Sequence, residues 1–281
     1  MVRILSDHAA GMITLLSRNS GASTGIAIPT PSKSKKTTKK SIDKPVFFLI
    51  FIQFCYKVFL RILRMTRKKL KHFADMKEWS NVLEPALGGA ELEEAVNRKG
   101  SWGDRVVLEL GCGRGDYSLA LAENFHDASV VGIDIKGARM WHGANAAKEM
   151  GLENVFFLRA RIEDLADYFE EGEVDEIWVT FPDPHPRKGK AKKRLTSPRF
   201  LGIYKYLLKN GGIVHFKTDD LTLFDYSVET ALAEAWNIKD EQRDIYKSDG
   251  NEFYRNFQTQ YERRFIGEDK PIYYLAMLCS T

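Results

Sequence analysis

The stretch from Leu108 to Asp116 reads L-E-L-G-C-G-R-G-D, and it joins a predicted strand to a predicted helix. The strand is Arg105–Leu110 (RVVLEL), whose valine and leucine side chains are typical of a buried strand. Gly111 and Gly113 allow the backbone to turn tightly and to pass close to a ligand, and the unpaired N–H groups of a helix N-terminus point at the same place. The stretch therefore predicts an α/β fold with a ligand-binding loop at the carboxyl end of its first strand.

Segments with strand character alternate with helical segments along the rest of the chain. Further strands are predicted at Val130–Ile135, Val155–Leu158, Val174–Thr180, Ile213–Lys217 and Pro271–Cys279. Helices are predicted at Asp116–Asn124, Gly137–Met150, Ile162–Glu170, Pro198–Lys209 and Leu221–Trp236, with Asn210-Gly211-Gly212 as a helix stop. This alternation predicts a Rossmann-like α/β domain, in which a mostly parallel sheet carries helices on both faces.

Acidic residues around the glycine loop restrict the kind of ligand. A dinucleotide fingerprint, G-x-G-x-x-G, requires glycine at position 116, but Asp116 stands there, where a pyrophosphate would lie. Asp116 and Glu109 would repel an anion, which disfavours a nicotinamide-dependent dehydrogenase and favours a neutral or cationic ligand. Asp134 lies at the end of the next strand, where a carboxylate can accept from both hydroxyls of a ribose. The combination resembles class I methyltransferases that use S-adenosylmethionine (SAM), whose sulfonium is cationic.

A second motif, F-P-D-P at Phe181–Pro184, follows the predicted strand Val174–Thr180. The two prolines restrict the backbone on both sides of Asp183 and hold this carboxylate on a stiff corner. Seven cations follow it: Arg187, Lys188, Lys190, Lys192, Lys193, Arg194 and Arg199. A rigid acid followed by a polycationic loop suits chemistry on a polyanion, although a charge run can also be a solvated surface.

Charge is unevenly distributed along the 281 residues, which carry a net charge of +4. Residues 1–64 contain 11 Lys and Arg against 2 Asp and Glu, whereas the remainder contains 31 against 36. A mildly acidic body must bind a polyanion through a local basic patch, and the segment after Asp183 is such a patch. The three cysteines (Cys55, Cys112, Cys279) lack metal-ligand spacing, which predicts a reducing compartment and no metal site.

The first 64 residues do not have the composition of a folded domain. Residues 20–44 are rich in Ser, Thr, Gly, Pro and Lys, which predicts disorder. The apolar run Val46–Tyr56 is shorter than the ~20 residues that span a bilayer. We therefore expect no membrane association, and we expect that Met65 is the natural start of a domain covering residues 65–281. Its first residues, MTRKKLKHFADMKEW, form a basic and partly amphipathic arm.

From Met65 onward the chain resembles the bacterial tRNA (guanine-N7)-methyltransferase family. F-P-D-P with the basic stretch ending K-K-R-L carries most of the resemblance, supported by H-F-K-T-D at 215–219 and T-Q-Y-E at 259–262. The resemblance implies methylation of a guanine in the tRNA variable loop, guanine 46, by a cytoplasmic enzyme with Asp183 as the catalytic residue. It implies that SAM is bound by Glu109, Asp134, Arg161 and Asp183, beside Gly111 and Gly113. It implies that the substrate is bound by Arg187, Asp219, Thr259, Gln260, Tyr261 and Glu262.

Several positions depart from the pattern of that family, including Gly189-Lys190, where Arg-His is common. His185 stands where Trp is common, Arg187 where Lys is common, and Arg161 where an acid or amide is usual. Arg187 keeps the charge and can bind a phosphate through two hydrogen bonds. Arg161 cannot accept a hydrogen bond through its side chain, so only its backbone is expected to contribute to SAM binding.

Guanine N7 carries a free lone pair at neutral pH, so its methylation does not require a strong base. Asp183 is therefore expected to orient the guanine by accepting from N1–H and the exocyclic amine. Two alternatives stay open at this point: a methyltransferase for another nucleobase or a protein side chain, and a non-catalytic RNA-binding subunit. The residues indicate no obligate protein partner and leave monomer and homodimer equally open.

Overall fold

The computed structural model describes residues 67–85, 90–247, 255 and 258–279. Its strands are β1 (Val82–Leu83), β2 (Val106–Leu110), β3 (Ser129–Ile133), β4 (Val155–Leu158), β5 (Val174–Thr180), β6 (Leu208–Thr218), β7 (Asn237–Gln242) and β8 (Tyr273–Leu278). Its helices are α1 (67–77), α2 (Ala90–Asn97), α3 (Asp116–Asn124), α4 (Gly137–Met150), α5 (Pro198–Leu207), α6 (Leu221–Ala233) and α7 (Gln260–Gly267). Two 3-10 helices span Ile162–Asp167 and Lys188–Lys193.

The strands form one sheet in the order β1-β4-β3-β2-β5-β6-β8-β7. All neighbouring pairs are parallel except those of β8, which runs antiparallel to both β6 and β7. The chain leaves β2 toward β3 on one side and later returns to pair β5 with β2 on the other side. The carboxyl ends of β2, β3 and β5 therefore surround a topological switch point, which is where parallel α/β sheets bind ligands.

Successive side chains of β2 point to opposite faces of the sheet, so this strand contributes to the apolar core on both faces. Val106, Leu108 and Leu110 belong to the core that α5 and α6 cover, whereas Val107 belongs to the core that α3 and α4 cover. Glu109 has the same parity as Val107, so its carboxylate points toward α3. The predicted fold class is confirmed: a Rossmann-like, mostly parallel sheet with helices on both faces.

Element boundaries differ from the sequence-based expectations at several places. The predicted helix to Lys209 ends at Leu207, because β6 begins at Leu208 and pairs with Val174. Asn210-Gly211-Gly212 therefore lies within a strand, where Gly211 has a φ of 80°. The segment predicted as helix Ile162–Glu170 is a 3-10 helix, and β1, α2, β7 and α7 were not predicted.

The expectations for the N-terminal extension, residues 1–64, and for Met65 lie outside the described residues. In the part of the chain that the structure does describe, no helix combines the length and the apolar character needed to cross a membrane. The same residues contain no group of three or more His, Cys, Asp or Glu side chains placed to hold a metal ion.

Candidate active site

A cavity of about 560 Å³ opens at the carboxyl ends of β2, β3, β5 and β6. Its charged lining combines acids with cations from the surrounding loops. The acids are Glu109, Asp116, Asp134, Asp183 and Asp219, and the cations are Arg114, Lys136, Arg139 and Lys193. The cations are all exposed, whereas Glu109 is buried. A cationic group inside the cavity and an anionic group at its mouth would both be attracted.

The glycine loop is fixed to the end of β3 by its own backbone. Gly111 and Cys112 both donate N–H hydrogen bonds to the carbonyl of Ile133, at 2.8 and 3.0 Å. Gly111 has a φ of 77°, in the left-handed region that favours glycine. At Gly115, which precedes α3, a Cβ atom would lie 2.5 Å from the ring of Phe157, so no larger residue fits without displacement. The loop thus has one well-defined course along the floor of the cavity.

Asp134 follows β3 directly and is held by two backbone amides. Its Oδ2 accepts from Gly113 N at 3.0 Å and its Oδ1 accepts from Lys136 N at 2.8 Å. Each carboxylate oxygen can accept a second hydrogen bond. The carboxylate lines the cavity and is half-buried, so it can receive the two hydroxyls of a ribose, as the sequence predicts.

Glu109 lies at the end of β2 with only 2% of its surface exposed. Ser118 donates to its Oε2 at 2.5 Å and Thr180 donates to its Oε1 at 3.2 Å. Burial raises the pKa of Glu109 to about 7, although the hydrogen bonds from Ser118 and Thr180 favour the ionised form and lower the pKa. A cationic ligand in the cavity would favour the ionised form further, so ligand binding and proton loss at Glu109 are coupled.

The F-P-D-P corner follows β5 and carries strained backbone on both sides of Asp183. Phe181 has a φ of 47° and His185 a φ of 44°, values that non-glycine residues adopt at an energetic cost. Phe181 N donates to the carbonyl of Lys217 at 2.9 Å, which ties the corner to the end of β6. Asp183 is exposed and lines the cavity. The corner therefore presents one carboxylate toward the glycine loop, as the paired prolines predict.

The sequence predicts Arg194 to be part of the exposed basic patch, but in the structure it is buried, with 6% of its surface exposed. Its Nε donates to the carbonyl of Pro184 at 3.1 Å and its Nη2 donates to the carbonyl of His185 at 3.3 Å. The guanidinium carbon lies 4.3 Å from the centre of the Tyr226 ring on α6. Arg194 is therefore a positioning residue that supports the corner next to Asp183, and its side chain is not available to a phosphate.

The remaining cations of the segment are at the surface. Residues Lys188–Lys193 form a 3-10 helix without buried residues, and Arg187 is the residue that precedes it. Lys193 also lines the cavity. Arg199 is exposed too, and its Nη1 lies 3.7 Å from Glu163. The predicted basic patch thus exists beside the cavity, without Arg194.

Asp219 and Thr259, from the C-terminal part of the chain, also line the cavity. Asp219 follows β6, and Thr259 is the N-cap of α7, where its hydroxyl accepts from Glu262 N at 3.1 Å. The T-x-x-E spacing is that of a helix cap, so it also marks the start of α7. The side chains of Gln260 and Tyr261 lie outside the described residues.

Glu262 is fully buried and is not part of the cavity lining. Its Oε1 accepts from Lys217 Nζ at 3.0 Å and from the hydroxyl of Tyr246 at 2.8 Å. Lys217, also fully buried, lies two residues before Asp219, so this ion pair fixes the end of β6 to the first turn of α7. Burial lowers the pKa of Lys217, while Glu262 raises it. The geometry gives Glu262 a positioning contact and no direct path to a substrate in the cavity.

Arg161 precedes the 3-10 helix Ile162–Asp167 and is not part of the cavity lining. Its guanidinium is exposed and lies 3.9 Å from Glu163. Its carbonyl accepts from Asp164 N at 3.0 Å. A role in SAM binding stays a prediction for its backbone, as the sequence indicated.

Fold and glycine loop together define the class of the protein: a Rossmann-like methyltransferase. A family described as "Putative methyltransferase" matches residues 104–275. The tRNA (guanine-N(7)-)-methyltransferase of Cytophaga hutchinsonii is 40% identical over 219 residues, which cover 75% of this chain and 97% of that protein. The enzyme of the same name from Bacteroides fragilis is 38% identical over 221 residues, or 76% and 86% of the two chains. The chain therefore belongs to the tRNA (guanine-N(7)-)-methyltransferase family.

A solved structure supports the fold. The 16S rRNA methyltransferase KamB superposes with a TM-score of 0.50 at 20% identity, over 69% of this chain and 94% of that one. At this identity the likeness concerns the fold alone.

Proposed function

We propose that the chain transfers the methyl group of SAM to N7 of a guanine in the tRNA variable loop, guanine 46 in the pattern of the family. The observation that carries this proposal is the position of Asp183. It lies on a rigid corner, beside an acidic cavity on one side and an exposed 3-10 helix of lysines on the other. A cationic methyl donor and a polyanionic acceptor would meet at this residue.

The cavity fits SAM in charge and in hydrogen-bonding capacity. Asp134 has free lone pairs for two ribose hydroxyls, and Glu109 provides a carboxylate that can ionise next to a cation. Gly111 and Gly113 line the cavity and present no side chain to the ligand. When bound, SAM supplies an electrophilic methyl group on its sulfonium. The family membership and this donor set together support SAM as the cofactor.

Asp183 would orient the acceptor guanine and would not remove a proton from it. Since N7 already has a lone pair, the requirement is alignment, and holding two reactants in line can supply ~7–11 kcal/mol of the barrier. The carboxylate of Asp183 can accept from guanine N1–H and the exocyclic amine, and it can offset positive charge that develops on the purine.

The exposed cations explain how RNA would be held. N7 faces the major groove, which in A-form RNA is too deep and narrow for side chains, so the target must lie in a loop or a distorted pair. Arg187 and the lysines of residues 188–193 would bind phosphates beside it. Such contacts position the RNA without reading its sequence.

The proposal is tested with purified protein, methyl-labelled SAM and an unmodified tRNA transcript, comparing the wild type with Asp183→Ala. We expect Asp183→Ala to lower kcat about 100-fold or more, because alignment of the base is lost, while the Kd for SAM changes less than about threefold. Lys188→Ala is the matched control at the surface, and it should raise the KM for tRNA with kcat unchanged. Equal turnover of Asp183→Ala and the wild type would contradict the assignment.

We further propose that residues 65–281 form the methyltransferase domain and that it acts in the cytoplasm without a second subunit. Activity of the purified chain alone in the same assay tests it.

A further inference from the structure

Helix α1 is firmly attached to α4 through an aromatic contact. His72 is buried and stacks on Trp141, with ring centres 4.1 Å apart and planes 7° from parallel. The indole Nε1 of Trp141 donates to Asp75 Oδ2 at 2.9 Å. Met76, one turn after His72, is also buried. These contacts fix which face of α1 is buried and which face points to solvent.

The attachment places α1 directly beside the active-site cavity. A Cβ atom at Gly137, the first residue of α4, would lie 2.9 Å from the ring of Phe73 on α1. Lys136 and Arg139, on either side of Gly137, line the cavity. Farther along α4, a Cβ atom at Gly143 would lie 2.7 Å from the carbonyl of Arg114 in the glycine loop. Helix α4 thus connects α1 to the cavity mouth on the β3 side of the switch point.

The solvent face of α1 and the adjacent cavity mouth carry the same charge. The exposed cations of α1 are Arg67, Lys68, Lys69, Lys71 and Lys77, and those of the adjacent cavity mouth are Arg114, Lys136 and Arg139. Together these cations are here called the α1 cation surface. Burial lowers the pKa of His142, and the nearby charges of Arg114 and Lys68 lower it further. Asp75, the acid on this stretch of α1, is bound to Trp141.

We propose that the α1 cation surface is a second tRNA-contact surface, binding backbone phosphates on the opposite side of the cavity from the Lys188–Lys193 segment. In the sheet order, β3 and α4 lie on one side of β2, and β5 with its basic segment lies on the other. An RNA held at both sides would cross the cavity mouth, with the target guanine between the two contacts. This inference rests on the proposed function, since it assigns the partner of the same site.

The α1 cation surface can be tested without touching the cavity. The test pair is Lys68→Ala/Lys71→Ala on α1, made in the full chain. The control pair is Lys205→Ala/Lys239→Ala, two exposed lysines on α5 and β7 that do not line the cavity. The readouts are the KM for tRNA, the salt dependence of tRNA binding, kcat and the Kd for SAM.

For two lost phosphate contacts we expect the KM for tRNA at 0.1 M salt to rise about 25- to 60-fold. The slope of log affinity against log salt should become shallower by about 1.4 to 1.8. The control pair, kcat and the Kd for SAM should stay at wild-type values. The inference is overturned if the α1 pair matches the control pair in both KM and slope, or if its main effect is on SAM binding. Binding of tRNA is measured separately from methyl transfer. A wild type that transfers no methyl group would refute the proposed function. The salt dependence of tRNA binding by the wild type and the two variant pairs would still test the α1 cation surface.

Discussion

Glu109 shows how a single buried acid can connect the cofactor to pH. Its carboxylate is enclosed by β2, Ser118 and Thr180, and burial places its pKa at about 7. Since the raised pKa disfavours the ionised form, the folded chain loses stability as pH rises from about 4.5 through 7. A cationic ligand offsets this loss because it interacts with the ionised carboxylate.

This linkage predicts a pH-dependent affinity for SAM. If SAM binds only when Glu109 is ionised, its affinity should be about fivefold weaker at pH 6 than at pH 7. Glu109→Gln should bind SAM weakly at both pH values, because no charge can form. Asp134→Asn serves as the control, since it should weaken binding but keep the pH dependence. Calorimetric Kd values that are equal at pH 6 and pH 7 for the wild type would contradict the linkage.

Among single residues, the sequence patterns identified side chains that line the cavity but not the buried side chains that support them. Asp183 could be predicted because prolines on both sides restrict its backbone, and Asp134 because it ends a strand. The burial of Arg194 and Glu262 could not be predicted, because it depends on contacts with Pro184, Tyr226 and Lys217 that the sequence does not reveal. In the sequence, each looks like one more charged residue in a charged motif.

At the scale of elements, the active-site corner depends on the segment that follows it. Arg194 ends the 3-10 helix Lys188–Lys193 and reaches back to two carbonyls of the corner. The basic segment therefore has two roles, with its exposed lysines facing solvent and its last arginine supporting Asp183.

Arg194→Met should separate these two roles, because it keeps the packing stem and removes both hydrogen bonds to the corner. We expect kcat to fall up to about 100-fold, since a displacement of about 1 Å in the corner can cost that much. The Kd for SAM should change little. Lys192→Met on the same 3-10 helix is the control, and it should raise the KM for tRNA while kcat is kept. If Arg194→Met behaved like Lys192→Met in steady-state kinetics, Arg194 would be a phosphate contact instead.

Most central strands and the helices that connect them could be predicted, whereas β1, α2, β7 and α7 could not. Strand β4 (VFFL) is a continuous apolar run, and β2 (VVLEL) and β5 (VDEIWVT) are rich in β-branched and other apolar residues, which is typical of buried strands. Strand β7 (NIKDEQ) has polar exposed positions because it is an edge strand and pairs only with β8. The change from α5 to β6 at Leu208 was missed, because both neighbouring leucines are buried and fit either periodicity.

On the scale of the whole molecule, charge is organised around the switch point of the sheet. Acids lie along the cavity, and exposed cations flank it on the α4 side and on the β5 side. A net charge of +4 conceals this separation. The arrangement accommodates a cationic cofactor within the cavity and a polyanion across its mouth, which is the requirement of an RNA methyltransferase.

Methyl transfer to N7 of a guanine in the variable loop is tested by locating the transferred methyl group at nucleotide resolution. A full-length unmodified tRNA transcript would be incubated with the purified chain and SAM, and N7-methylguanosine would be mapped along it. We expect one modified guanine, in the variable loop. A methyl group on another atom or in another arm of the tRNA, or no transfer while SAM is demonstrably bound, would contradict it.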